Sequence, residues 1–442
     1  MRSFLLLSLA VVCALIATVQ AGQNWAVLVA GSDGFYNYRH QSDVCHAYQV
    51  LKKKGIPDSN IIVFMKDDIA NNPQNRHPGV IKNTDNGENV YPGVPKDYTG
   101  EDVTPQNFLN VLLGKDMNGV GSGKTLKSTS EDRVFIFFSD HGAPGLVAFP
   151  GKMLYAKDLI QVLTQMSKEK KFDQLVFYLE ACESGSMFNK LLSDKLRIYA
   201  TTAANPFESS YACDYNSEER AYLNDCYSFN FINDTEAVDV QKESLSEQFD
   251  VIKALTTQSH VCRYGDLSIA KQPIGNFLGN SFKYNYNGLF NRQRPVPAPK
   301  GTANRKGISS RDVKMDWLVR QVSAANDVYE RTYFEKELAA HKRDQDVADT
   351  IFGAFSDAFE LHKVREAREI RLNGSNDDRC TSDNAVDVDC IKSSVEEFED
   401  ACGKVNEASI KYVAYIRDAC EAKVPSQIMG EQFKKTCSLL NH

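Results

Sequence analysis

Through the first two-thirds of the chain, short runs of apolar, β-branched and aromatic residues alternate with longer amphipathic stretches. Runs at 25–30, 60–65, 133–138, 174–179 and 197–202 are almost continuously apolar, the pattern of strands buried on both faces. Between them, segments 42–54, 104–113, 156–168 and 187–192 repeat their apolar positions at helical spacing. The alternation predicts an α/β domain: a mostly parallel sheet flanked by helices, with right-handed crossovers. Such sheets bind ligands beyond the carboxyl ends of their strands, so chemistry is expected at that edge. The pattern stops near residue 290. Arg294-Pro295-Val296-Pro297-Ala298-Pro299 and the following Gly301–Gly307 read as an extended linker. Helical periodicities then run through 313–338, 347–371 and 395–420, with no strand alternation, so an all-α C-terminal unit is expected. The resulting division is 1–21, 22–288, 289–326 and 327–442.

Residues 1–21 carry Arg2, an apolar core from Phe4 to Ala17, and small residues before Ala21, which predicts a signal peptide cleaved after Ala21. No second long apolar run follows, so no membrane anchor is expected. Removal of Cys13 leaves ten cysteines, five of them in the last 63 residues. In an oxidising compartment that crowding predicts a disulfide-stapled helical module. Asn233-Asp234-Thr235 and Asn373-Gly374-Ser375 are glycosylation sequons for the same compartment. The net charge of −7 lacks a basic face, which argues against nucleic acid as a partner. The acidity is concentrated: residues 327–442 hold 16 Lys+Arg and 24 Asp+Glu. Carboxylates paired in a docked tail would make that docking sensitive to acid.

Gly119-Val120-Gly121-Ser122-Gly123-Lys124-Thr125 imitates a phosphate-binding loop, but Asn118 stands where that motif needs its first glycine, and the stretch reads as a loop. The chemistry lies at the ends of two strand-like runs. Val134–Phe138 leads into Ser139-Asp140-His141-Gly142, and Leu175–Leu179 into Glu180-Ala181-Cys182-Glu183-Ser184-Gly185-Ser186. If both are parallel strands of one sheet, His141 and Cys182 emerge at one edge. A thiolate is the attacking form of cysteine, and an adjacent imidazole stabilises it or takes its proton. Backbone N–H groups at Gly142 and Cys182 would face a developing oxyanion. The plainer alternative is a buried cysteine and an unrelated histidine. The chemistry calls for no metal and no cofactor.

Five segments in order, at 36–41, 97–104, 139–142, 180–186 and 200–206, resemble those of the legumain family of asparaginyl endopeptidases. The resemblance implies a caspase-like fold followed by an all-α prodomain, with Cys182 as nucleophile, His141 as its partner and Asn37 orienting the imidazole. It also implies a pocket for a substrate asparagine formed by Arg39, His40, Glu180, Ser209 and Asp225. An asparagine side chain offers an acceptor and a donor, so a cation and an anion facing each other suit it. Asp140 would tune the histidine or form a cyclic imide, a loop-capping role being the alternative. Cleavage after asparagine, and after aspartate at lower pH, by an acid-activated zymogen is the implied activity. Peptide ligation on the same acyl-enzyme and a catalytically silent binding protein are the alternatives. A glycolipid-anchor transamidase subunit shares the Cys–His pair but carries a membrane helix. The prodomain is implied to act as an intramolecular inhibitor released by cutting after Asn326, or second after Asn304. Its cysteine spacing implies the bridges Cys390–Cys420 and Cys402–Cys437. Protein and peptide substrates, cystatin-type inhibitors and an endolysosomal or secreted location complete what the resemblance implies. Cys226, Cys262 and Cys380 depart from the family pattern and, with Cys213, are candidates for extra bridges.

Overall fold

The computed structural model describes residues 22–279, 307–366, 380 and 386–440. The expected signal segment, most of the proline-rich linker with Asn304, and the Asn373 sequon lie outside the described residues. The chain begins with β1 (Asn24–Ala30), α1 (Tyr38–Lys53), β2 (Ile61–Phe64), α2 (Pro105–Leu112) and β3 (Arg133–Ser139). A small meander follows, β4 (Gly142–Ala143), β5 (Leu146–Phe149) and β6 (Lys152–Tyr155), then α3 (Ala156–Lys168), β7 (Gln174–Glu180) and β8 (Ile198–Thr202). Next come β9 (Tyr211–Asn216), β10 (Ala221–Asp225), α4 (Cys226–Ala237), α5 (Leu245–Leu255), β11 (Cys262–Gly265) and the short α6 (Gly275–Leu278). The C-terminal third holds β12 (Ile308–Ser309), α7 (Val313–Ala324), α8 (Val328–Ala358), α9 (Val388–Cys402), α10 (Val413–Glu421) and α11 (Ser426–Leu440).

Six strands form the central sheet in the order β11-β8-β7-β3-β1-β2, all parallel except β11. Every strand is apolar on both faces because both are covered. Leu28, Phe135, Phe137 and Tyr178 meet α1, α4 and α5 through Val44, Tyr48, Phe231 and Phe249. Val27, Val29, Ile136 and Phe138 meet α2 and α3 on the other face through Phe108, Leu159 and Leu163. Each such side chain contributes about 1.5–3 kcal/mol by leaving water, and a one-residue slip would exchange the two faces. That fixes the register, which pairs Ala30 with Ser139 and Ser139 with Glu180. Three strands therefore end level, at one edge.

Several elements differ from the sequence reading. The segment 187–192, expected as a helix, is a 3-10 turn at Ser184–Met187 followed by further turns, with Lys190 in the left-handed region. Six residues are too few to sustain an α-helix against the buried Phe188 and Met187 they must place. The periodicity at 313–338 is broken between α7 and α8, where Asp327 caps α8 by accepting the Glu330 N–H at 2.8 Å. That at 395–420 is broken at Gly403, whose φ of 92° ends α9. Helix α11 has no counterpart in the sequence reading. Nor is 289–326 linker throughout: β12 adds antiparallel to β9, and α7 seats Trp317 and Leu318 in the core shared with α1. The Trp317 indole N–H donates to the Arg220 carbonyl at 2.8 Å. In the glycine-rich loop, Lys124 is occupied, donating to the carbonyls of Asp58 and Ile61.

Helices α8 to α11 build a third core from Phe352, Phe355, Val395, Ile416 and Phe433, and this core runs on into the β4–β6 meander through Ala143, Leu146 and Tyr155. The C-terminal unit thus packs on the strands that directly follow His141. Disulfides join Cys390 to Cys420 and Cys402 to Cys437 inside it, Cys213 to Cys226 across β9 and α4, and Cys262 to Cys380. Among the described residues no helix is long and apolar enough to cross a membrane.

Candidate active site

His141 and Cys182 each lie two residues beyond the paired Ser139 and Glu180, so the register that seats the core also sets them side by side. The Asp140 N–H donates to the Glu180 carbonyl at 3.0 Å and extends the ladder one step further. A Cβ on Gly142 would stand 2.3 Å from the Cys182 carbonyl oxygen and 3.0 Å from the Ala181 Cβ, so only glycine fits this crossing. His141, Gly142 and Cys182 line one cleft with Asn37, Ser310, Arg311, Lys314, Glu407 and Ile410.

Asn37 occupies the N-cap of α1 but caps nothing, because its side chain is diverted into this cleft. Its amide nitrogen donates to the Asp33 carbonyl at 3.0 Å and to Glu407 Oε1 at 2.6 Å. That orientation aims its carbonyl oxygen at His141 Nε2, 2.9 Å away. Nε2 must therefore carry the proton, and in the neutral ring the lone pair sits on Nδ1. The Cys182 sulfur is buried, 3.2 Å from Ser209 Oγ and 3.9 Å from Ser210 Oγ.

The other expected pocket residues cluster around Asp225, at the end of β10. Arg39, in the first turn of α1, donates through Nε to Asp225 Oδ1 at 2.9 Å, with both groups fully buried. Asp43, one turn on, accepts the Asp225 N–H at 3.1 Å. Glu180 Oε2 accepts both the N–H and the hydroxyl of Ser228 at 3.1 Å. Burial and mutual repulsion push the carboxyls of Asp43 and Glu180 well above the usual carboxylate range, and burial raises Asp225 despite Arg39. His40 lies between Ser32 Oγ, 2.6 Å from Nδ1, and Asp225 Oδ2, 3.5 Å from Nε2. Burial, Arg39 and His141 drive its pKa well down. Asp140 is buried between β1 and β3, its carboxyl raised chiefly by burial. His40, Asp140 and His141 are the one trio of close-set potential metal ligands among the described residues, but His40 Nδ1 and His141 Nε2 already have partners. Asn326 is exposed at the break between α7 and α8. Asn233 is half-buried on α4, and the Thr235 hydroxyl of its sequon donates to the Phe231 carbonyl.

The sequence reading missed the groups that close the cleft. Glu407, from the loop after α9, stands 3.5 Å from His141 Nε2 and 3.4 Å from Lys314 Nζ of α7. Burial alone would raise its carboxyl, but His141, with Lys314 and Asn37, brings it down to about 2. Arg311 pairs with Glu183, next to the thiol. About 10 Å³ of the cleft remains, barely room for one water. No local pattern marks these residues; each is one charge among many in a polar stretch.

What the sheet edge presents is a thiol beside an imidazole held in one tautomer, the means by which cysteine peptidases attack a carbonyl. A covering from later in the chain makes this the closed form of such an enzyme. The Peptidase C13 family pattern matches residues 24–280, and the legumain prodomain pattern matches 349–437. Human legumain is 47% identical over 322 residues, 72% of each chain. Rat legumain is 39% identical over 429 residues, covering 94% of this chain and 93% of its own. The vacuolar-processing enzyme delta-isozyme of Arabidopsis thaliana is 40% identical over 435 residues, covering 95% and 91%. Caspase-1 of Spodoptera frugiperda aligns with 60% of this chain and 92% of its own at 9% identity, with a TM-score of 0.34. The chain belongs to the Peptidase C13 family and is a cysteine endopeptidase with a legumain prodomain.

Proposed function

We propose that the protein cleaves peptide bonds on the carboxyl side of asparagine, with Cys182 as nucleophile and His141 as acid and base, and that its prodomain holds it inactive until acid loosens it. The observation that carries the specificity is a pair of buried, unspent polar atoms. Among the described residues, Arg39 Nη2 has no acceptor, and Glu180 Oε1 has no hydrogen bond of ordinary geometry, with Ser210 beside it. Buried polar groups are nearly always satisfied, so this pair fits a ligand that brings one acceptor and one donor. A carboxamide does: its oxygen would take the Arg39 N–H, and its nitrogen would donate to Glu180. Glutamine carries the same group one methylene further out, and alanine lacks it. Ionised aspartate has no donor and gains one only when protonated, so its cleavage should grow as pH falls.

The test is turnover of peptides differing only in Asn, Asp, Gln or Ala before the scissile bond. Asparagine should exceed alanine by at least about a hundredfold, since a site built for hydrogen bonds rejects a side chain that lacks them. Aspartate should gain on asparagine between pH 6 and pH 4. Equal turnover of the four would remove the pocket assignment.

The enzyme's reaction divides between a few groups. Cys182 attacks, His141 takes its proton and returns it to the leaving amine, Asn37 fixes the ring, and the Gly142 and Cys182 N–H groups face the oxyanion. Gly142→Ala should lower kcat/KM about a hundredfold, because relieving the overlap with Cys182 displaces nucleophile from imidazole by about 1 Å. Turnover normalised to titrated thiol measures it, and an unchanged value would remove Gly142 from the crossing. Asn326, exposed between two helices, is the proposed activation cut. Its own N–H donates to Glu330, which also pairs with Arg220. An endolysosomal site of action follows from acid release.

A further inference from the structure

We propose that the Cys262–Cys380 disulfide is a covalent tether that keeps the prodomain on the catalytic domain after the linker is cut, so that separation needs a thiol reductant or a second cut beyond Cys380. Of the bridges among the described residues, two lie within the helical C-terminal unit and one within the catalytic domain. Cys262–Cys380 alone joins the two, across a sequence separation of 118 that contains Asn326. Cys262 sits on β11, the edge strand of the central sheet, paired with Thr202 and fully buried. The two Cα atoms are 5.8 Å apart, the usual spacing for a bridge. Cys380 packs with the catalytic core that holds Cys262 and Tyr264, and not with the aromatic core of the C-terminal helices. Residue 380 is thus seated in the catalytic domain, although it lies beyond the cut.

Opening the chain after Asn326 leaves this connection intact. A freed fragment diluted to nanomolar concentration would be lost, whereas a tethered one re-docks at an effective concentration on the order of millimolar. Acid would then loosen the cut protein without discharging its inhibitor, and a return to neutral pH would close it. Opening the bridge takes two electrons from two thiols. One thiolate attacks Cys380, the half-exposed partner, and displaces the Cys262 thiolate. A second thiol resolves the mixed disulfide, and the reductant leaves as its own disulfide.

The proposal rests on the processing reading only for the opening of the chain, and two measurements separate them. Non-reducing peptide mapping of the full-length Cys182→Ala chain should find the Cys262 peptide joined to the Cys380 peptide. Acid-processed wild-type protein should then run as one species without reductant and as two with dithiothreitol. A Cys262→Ala/Cys380→Ala variant should separate without reductant, and after dilution to neutral pH it should keep at least about tenfold more turnover than the wild type. Unpaired or differently paired Cys262 and Cys380, or a prodomain freed from wild type by one cut without reductant, would overturn the tether. A chain that does not cut itself defeats self-processing alone, and trypsin nicking of the Cys182→Ala chain then reads the same retention.

Discussion

Replacing Cys182 with alanine is expected to lower kcat/KM for an asparagine peptide at least about 10⁴-fold, because no other group can form the acyl-enzyme and members of such a unit do not substitute for one another. Folding should be preserved. Among the described residues the sulfur's hydrogen-bond contacts are with two serine hydroxyls, and alanine two residues beyond β7 leaves the strand register and the glycine crossing untouched. The variant should also fail to cut its own linker at any pH, which distinguishes self-processing from processing by a contaminant. His141→Ala should fall by a similar factor. Turnover that survived in Cys182→Ala, with the thiol at Cys45 also accounted for, would refute the nucleophile. That control is informative because Cys45 is buried on α1, with its thiol pushed up to about 12.

Glu407→Gln should shift the onset of zymogen activation upward by about one pH unit, with wild type and variant converging in strong acid. The sign follows from the direction of the shift. The Glu407 carboxyl is held at about 2 in the docked protein against 4.5 in the free chain. Its contribution to docking is therefore complete above about pH 4.5 and is lost as pH falls toward 2. The difference corresponds to at most about 3 kcal/mol. The groups it faces are Asn37, His141, Lys314 and the Tyr36 hydroxyl. Glutamine retains the acceptor for Asn37 but loses the charge that answers Lys314 and His141. Self-processing rates measured across pH would report the shift, and superimposed profiles would show that the latch lies elsewhere. Ion pairs between Asp158 and Lys392 and between Lys157 and Asp389 also span the two units. These are more exposed, and salt should weaken them more than it weakens Glu407.

The placement of His141 and Cys182 at one sheet edge was legible because it follows from a local pattern. A strand buried on both faces must be continuously apolar, and the first polar residues after it must lie at the sheet edge. Reading Ser-Asp-His-Gly and Glu-Ala-Cys-Glu after two such runs therefore places His141 and Cys182 before any contact is known. Arg39 and Asp225 are 186 residues apart, and only the resemblance joined them. Glu407, Lys314 and Arg311 were illegible because a single charge on a polar stretch carries no trace of the partner that will bury it. The helical periodicity read over 313–338 did not show the break between α7 and α8, for a related reason. The apolar spacing continues across it, and what ends one helix and starts the next is one aspartate side chain capping α8.

The strand β12 and the helix behind it bear on where the catalytic half ends as a stable body. A chain truncated at the family boundary near residue 280 would leave the outer edge of β9 with unsatisfied amides and would uncover the seat of Trp317 beside Phe35 and α1. Bare strand edges invite aggregation. The smallest piece expected to stay monomeric runs on through residue 324, well beyond the end of the conventional peptidase segment at residue 280.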